Sequence, residues 1–452
     1  MIAYKYLLIA VNCVFVFCFS VLRADETPAE RGYRLLTTKS FLPPDFDQKT
    51  FDEIWQVWPE PLRSQAEKAT ADERRQMAFA RYGLTERAGD DSGKPLQYVV
   101  DEKGNWVMNC FSCHGGQVAG QIIPGLPNAR FAFQTLTEET RATKLRAGRR
   151  PWGKELTSLF FPLGGSNGTT NAVMFGVALK AFRDDDLNIV INRPRPKLVH
   201  HDMDAPPWWH FKKRKRLYID GFATKDHRAL MPFLMVKENG PEKFPEWEDD
   251  FRDIYAYLES LQPPKYPFEI DLELAKKGEP VFNDHCSRCH GTYGAEESYP
   301  HRVVPIKEIG TDRIRLDALS VEHRVSYGKS WFAHHGKHET VGKPEGYLAP
   351  PLDGIWASAP YFHNGSVPTL WHILHPDDRP IVWRRAIDGY DQAKAGIDVS
   401  EYDSIPIEVK TAADKRTFFD TRRFGKSSSG HWFPDELNEE EKNAVLEYLK
   451  SL

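Results

Sequence analysis

Two stretches carry the most explicit chemistry in the chain, CFSCH at Cys110–His114 and CSRCH at Cys286–His290. Cysteines two residues apart suit three kinds of work: a redox dithiol, half of a four-cysteine zinc site, or an attachment point for c-type haem. The histidine that follows at once in both copies discriminates among them. In c-type attachment each sulfur adds across one haem vinyl group, and the next residue offers an imidazole nitrogen to the iron. A zinc ribbon has no use for histidine at that place in both copies. Cys110, Cys113, His114, Cys286, Cys289 and His290 are therefore read as the attachment residues of two covalent haems, with His114 and His290 as proximal iron ligands.

The rest of the cysteine count agrees. The chain has six cysteines in 452 residues. Cys13 and Cys18 fall in an apolar run, Leu7 to Leu22, which follows Lys5 and ends at Arg23-Ala24. A positive start, a short apolar core and a small residue at the cut are the layout of a secretory leader. Residues 1–24 are read as that leader, with an uncleaved anchor as the alternative. The other four cysteines all lie in the two motifs, which leaves none for a disulfide framework. The expected compartment is periplasmic or extracellular, where c-type haem is attached. A formal net charge of −4, 41% hydrophobic and 27% charged residues describe an ordinary globular chain and give no reason to expect nucleic acid. The basic run Lys212–Arg216 is read as a solvated face or a partner for haem propionates.

Two units are needed to position two such motifs. YAYLESL at Tyr255–Leu261 and LEYLKSL at Leu446–Leu452 close two amphipathic stripes with three- and four-residue spacing. Asn438 and Glu441 predict a capping box before the second, and Thr70 with Glu73 opens a helix towards Tyr82. Leu272 to Asp284 predicts a helix leading into the second motif. The prolines of Gln262–Phe268 mark a boundary. The expected fold is mainly α, with two tandem cytochrome c-like domains, long irregular loops and an N-terminal helical extension. The expected domains are 25–262, the extension plus an enlarged first unit, and 263–452.

The segment GYLAPPLDGIWASAPYFHNGSVPTL, Gly346–Leu370, together with IGTD at Ile309–Asp312, resembles the bacterial di-haem cytochrome c peroxidase superfamily. NCFSCHGG, PGLPNARFAFQTL, the Trp208-Trp209 pair and SSGHWF near the end are most similar to the branch that includes the rubber oxygenases. The chain departs from typical di-haem peroxidases in two ways. No histidine occurs between His114 and His200, and the last methionine, Met235, precedes the second motif. The resemblance implies that His431, in SSGHWF, is the second axial ligand opposite His290; a surface histidine before the last helix is the alternative. It implies that His363 lines the haem surroundings without binding iron. It implies that Trp208 or Trp209 is a catalytic ring that passes electrons between the haems; simple core packing is the alternative. His200, His201 and His210 are the histidines that could close the first iron, and Asp202, Asp204 or Gln117 could assist oxygen chemistry.

The expected function is that of an exported redox enzyme acting on peroxide or dioxygen, peroxidase- or oxygenase-like, with a reactive first haem and an electron-relay second haem. A small redox protein is expected as electron donor or acceptor. The alternatives are an electron-transfer cytochrome with no substrate chemistry of its own, and a structural haem subunit of an exported complex.

Overall fold

The computed structural model describes residues 26–90 and 92–452, so the expected leader lies outside the described residues. No described helix is long and apolar enough to cross a membrane.

Two crossed helix pairs organise the chain. Helix Pro28–Thr38 packs on helix Glu248–Ser260, and helix Leu272–His285 packs on helix Glu439–Ser451. In each pair a glycine on the first helix lets the backbones touch. A Cβ at Gly32 would lie 2.2 Å from the Asp253 carbonyl oxygen, and one at Gly278 would lie 2.0 Å from that of Ala444. The closing helices bury the stripes read in the sequence: Phe251, Ile254 and Leu258 in one, Val445, Leu446 and Leu449 in the other. The capping boxes of Thr70 with Glu73 and of Asn438 with Glu441 are both formed.

The mainly α expectation is corrected by five small antiparallel sheets among the described residues. The largest strands are Val382–Asp391 and Gly396–Tyr402, joined by Phe418–Asp420. Trp383 faces Phe419 there, their rings stacked at 5.0 Å, and both are buried. Aromatic and β-branched residues favour such pairing, and an irregularity between Arg385 and Tyr390 interrupts the two-residue alternation that announces a strand.

The N-terminal extension is mostly helical, as expected, and is corrected in one respect. Its first helix, Pro28–Thr38, is the opening partner of the first closing helix. Between it and CFSCH lie helices Gln48–Glu53, Leu62–Lys68 and Ala71–Tyr82 and the sheet of Phe46–Asp47, Asn105–Met108 and Tyr98–Val100. Their aromatic core includes Phe51 stacked on Trp106 at 4.3 Å.

Long-range ion pairs tie distant segments together. Asp220 is fully buried and holds Arg324 at 2.6 Å and Arg315 at 3.2 Å. The segment after Phe418–Asp420 returns to the first half of the chain, where Lys426 meets Asp202 at 2.8 Å; shortly before it, Arg416 meets Glu138 at 2.6 Å.

Candidate haem sites

Each CxxCH motif forms one short helical turn, Phe111–His114 and Ser287–His290. Before the first, the Asn109 side chain accepts from the Phe111 amide at 2.9 Å and donates to the Leu96 carbonyl at 2.9 Å. Phe111 is wholly buried and pins the turn to the core. The second turn continues from helix Leu272–His285.

The two histidines are held alike. His114 Nδ1 lies 3.0 Å from the Pro206 carbonyl oxygen, and His290 Nδ1 lies 2.8 Å from that of Pro350. A carbonyl oxygen only accepts, so the ring must donate from Nδ1. Nε2 then keeps its lone pair for a metal, the tautomer that a hydrogen bond on the other ring nitrogen enforces. Both carbonyls belong to an Ala-Pro-Pro sequence, Ala205–Pro207 and Ala349–Pro351. This repeat escaped the sequence reading; looking for copies of the peptides around DAPPWW and LAPPLD would have found it.

The surroundings of the two rings then diverge. His290 faces His431, with ring centroids 6.2 Å apart and planes inclined by 61°. That spacing has room for one metal atom between two ring nitrogens, at bond lengths of about 2 Å. His431 sits at φ +57 between Gly430 and Trp432, and its Nδ1 is buried without a hydrogen-bond partner. The IGTD segment holds this loop. The His431 amide donates to the Ile309 carbonyl at 2.6 Å, and a Cβ at Gly430 would lie 2.3 Å from Gly310 and Thr311 backbone. Arg379 clamps the other side, donating to the carbonyls of Ser428 and Gly430 at 2.7 Å each.

The ring beside His114 is Trp208, stacked at 4.7 Å and 23°. Trp209 points the other way and donates from Nε1 to the Asp353 carbonyl at 2.7 Å, three residues past Pro350. The adjacent indoles thus reach from the first histidine to the loop that holds the second. Both are also buried in hydrophobic clusters, so core packing and proximity to the histidines are found together.

The other sequence candidates have partners of their own. His200 Nδ1 meets Asn171 at 2.7 Å and its ring abuts Phe161. His201 Nδ1 donates to the Val199 carbonyl, and His210 Nε2 donates to that of Asp353. His363 packs against Tyr347 at 4.6 Å, and its carbonyl accepts from the Asp204 amide. The Asp202 carboxylate is taken up by Lys426, Thr169 and the Gly165 amide. Asp204 Oδ1 accepts from the Ala205 amide at 3.0 Å, and burial pushes its carboxyl well above the usual range. In the basic run, Lys213 pairs with Asp353 and Glu297, and Arg214 is buried.

The glycines after each motif serve the chain itself. A Cβ at Gly116 would lie 2.3 Å from the Pro127 carbonyl oxygen. Gly291, at φ +87, would place one 2.0 Å from that of Ser298.

These residues fit covalent haem better than the other uses of CxxC. Among the described residues no disulfide joins the four cysteines. Burial pushes the Cys113 and Cys286 thiols up to about 12, whereas a working dithiol needs a lowered value. Among the described residues the four sulfurs do not converge on one metal-sized cluster, which removes the four-cysteine zinc site.

Comparison with known proteins agrees at a coarse level. Residues 346–384 match the family model described as RoxA-like, cytochrome c-like. The matched segment contains Pro350, the carbonyl partner of His290. A cytochrome c-like segment implies covalently bound haem c and a haem-binding cytochrome. The chain is similar to two uncharacterized proteins of Sinorhizobium fredii (strain NBRC 101917 / NGR234). It is 33% identical to y4iM over 208 residues, 39% of this chain and 45% of that protein. It is 28% identical to y4iJ over 259 residues, 42% of this chain and 41% of that protein. The chain thus spans less than half the length of either relative.

Proposed function

We propose that the chain is an exported di-haem cytochrome c built of two cytochrome-like units, 25–262 and 263–452, which acts as a redox enzyme on peroxide or dioxygen. It would stand in the di-haem peroxidase superfamily, on the side of the rubber oxygenases. The observation that carries this reading is the unequal surroundings of two equally held imidazoles. His290 has a second imidazole across from it, whereas the ring beside His114 is an indole. A pair of imidazoles suits an electron-relay site, and a site with one imidazole suits small-ligand binding.

Bound haem would supply reversible one-electron chemistry and, at an open coordination position, peroxide or dioxygen binding. The chain's own residues would do the rest. The Pro206 and Pro350 carbonyls hold the Nδ1 protons and aim Nε2 of His114 and His290. Arg379 and IGTD hold His431. Trp208 and Trp209 provide aromatic contact from one histidine to the loop of the other. Burial raises the proton affinity of the Asp204 carboxyl, near Cys113. The leader supports a periplasmic or secreted location, and a small redox protein would exchange electrons with the second haem.

The test is spectroscopic. Haem-loaded protein is expected to carry two covalent haems by mass. Carbon monoxide or cyanide should perturb one of the two, and His431→Ala should abolish the low-spin signature of the other. Two haems that both refuse small ligands in either oxidation state would leave an electron carrier in place of an enzyme.

A further inference from the structure

We propose that Asp226, His334 and His338 bind one divalent transition-metal ion of the zinc class, at a site separate from both cysteine motifs. One ligand atom from each residue lies within 4.8 Å of the other two. His334 Nε2 is 3.3 Å from Asp226 Oδ1, and the rings of His334 and His338 are centred 4.2 Å apart. All three residues are half-buried.

The backbone brings these groups together by an unusual route. His334 and His335 both adopt the left-handed conformation, with φ of 50 and 53. Two successive non-glycine residues in that region are strained, and such strain gathers at functional sites. Here the reversal brings His334 and His338 side by side against Asp226. The turn is held by the amides of His335 and His338, which donate to the carbonyls of Ser330 and Ala333. On the other side, the Arg228 amide donates to Asp226 Oδ1 at 2.9 Å and orients the carboxylate. The guanidinium of Arg228, which acts on His334, is paired with Glu248 at 2.7 Å and lies over Trp331, so its charge is offset.

Two imidazoles and one carboxylate are a donor set for zinc and its neighbours, with a fourth position left for water. Metal bonds of about 2 Å need the ligand atoms closer together than they stand, within reach of side-chain rotation. An ion here would cross-link two segments that already meet nearby, where Thr224 Oγ1 donates to the Glu339 carbonyl and the Val341 amide to that of Phe222. The inference does not depend on the haem reading, because none of its residues belongs to that site.

The experiment uses the full-length protein as purified, stripped with a chelator and then equilibrated with zinc chloride. Elemental analysis after gel filtration should find one zinc per chain. Asp226→Asn and His338→Gln should each weaken binding by at least about 100-fold, more than loss of an outer-sphere partner. His335→Gln, whose parent side chain faces Asp186, should bind as before. Zinc should also shield the peptide carrying His334 and His338 from diethyl pyrocarbonate, a readout that needs no variant. The inference is overturned if the wild type retains no zinc. It is overturned equally if zinc leaves that peptide as reactive as before, or if His335→Gln lowers binding as much as His338→Gln does.

Discussion

At the scale of single residues, the two histidines proposed as proximal ligands and the one proposed as distal are placed by different means. His114 and His290 follow from covalent spacing, so their positions were legible in two five-residue motifs. What aims them was not legible from spacing, because Pro206 and Pro350 lie 92 and 60 residues downstream and only a hydrogen bond joins them. His431 was approached through a resemblance, and its loop depends on backbone crowding that no periodicity records. That crowding is testable. Gly430 has φ +88 and its Cβ would strike the IGTD backbone, so Gly430→Ala is expected to cost more than about 1 kcal/mol. The loss should appear in urea titrations together with a weakened low-spin signal, while the haem proposed at His114 should keep its spectrum.

At the scale of elements, the helices were readable wherever apolar stripes met a cap, as at Thr70 and Asn438. The strands were not, since they are short or interrupted, and aromatic pairing such as Trp383 with Phe419 joins segments far apart in sequence. The opening helix Pro28–Thr38 was placed in an extension because three further helices and a sheet stand between it and CFSCH. Gly32 and Gly278 mark the two helix crossings as equivalents. Adding one methyl at either crossing forces the backbones apart. Gly278→Ala is expected to destabilise the protein by about 1–3 kcal/mol, the usual range for overpacking. Gly32→Ala should do the same. Chemical denaturation of both variants checks this; equal stability with the parent would mean that the helices slide without cost.

At the scale of the whole molecule, buried charge ties segments about a hundred residues apart. Asp220 sits between Arg315 and Arg324 with none of the three side chains more than 1% exposed. Replacing it with Asn leaves two cations without their counter-charge, and a loss of about 3–5 kcal/mol is expected in denaturant titrations. Acid sensitivity is global too. Burial lowers His210 and His372 to about 3, from an ordinary value of 6.5. Below 6.5 the unfolded chain takes up protons on these rings while the folded chain does not. Stability should therefore be fully present above pH 6.5, fall as the pH drops and level off near pH 3 as far as these two groups are concerned. Melting temperatures across that window measure it, and His372→Gln should flatten the slope.

The return of the C-terminal segment also sets an order of assembly. A chain made from its N-terminus presents Cys286, Cys289 and His290 long before the loop that carries His431. That loop follows Arg416 and Lys426, which pair with Glu138 and Asp202 in the first half. During the interval the second cysteine pair lacks the His431 ring that faces His290 in the finished fold. A bulky planar group can be fitted to the sulfurs from that side and then enclosed by the last part of the chain to arrive.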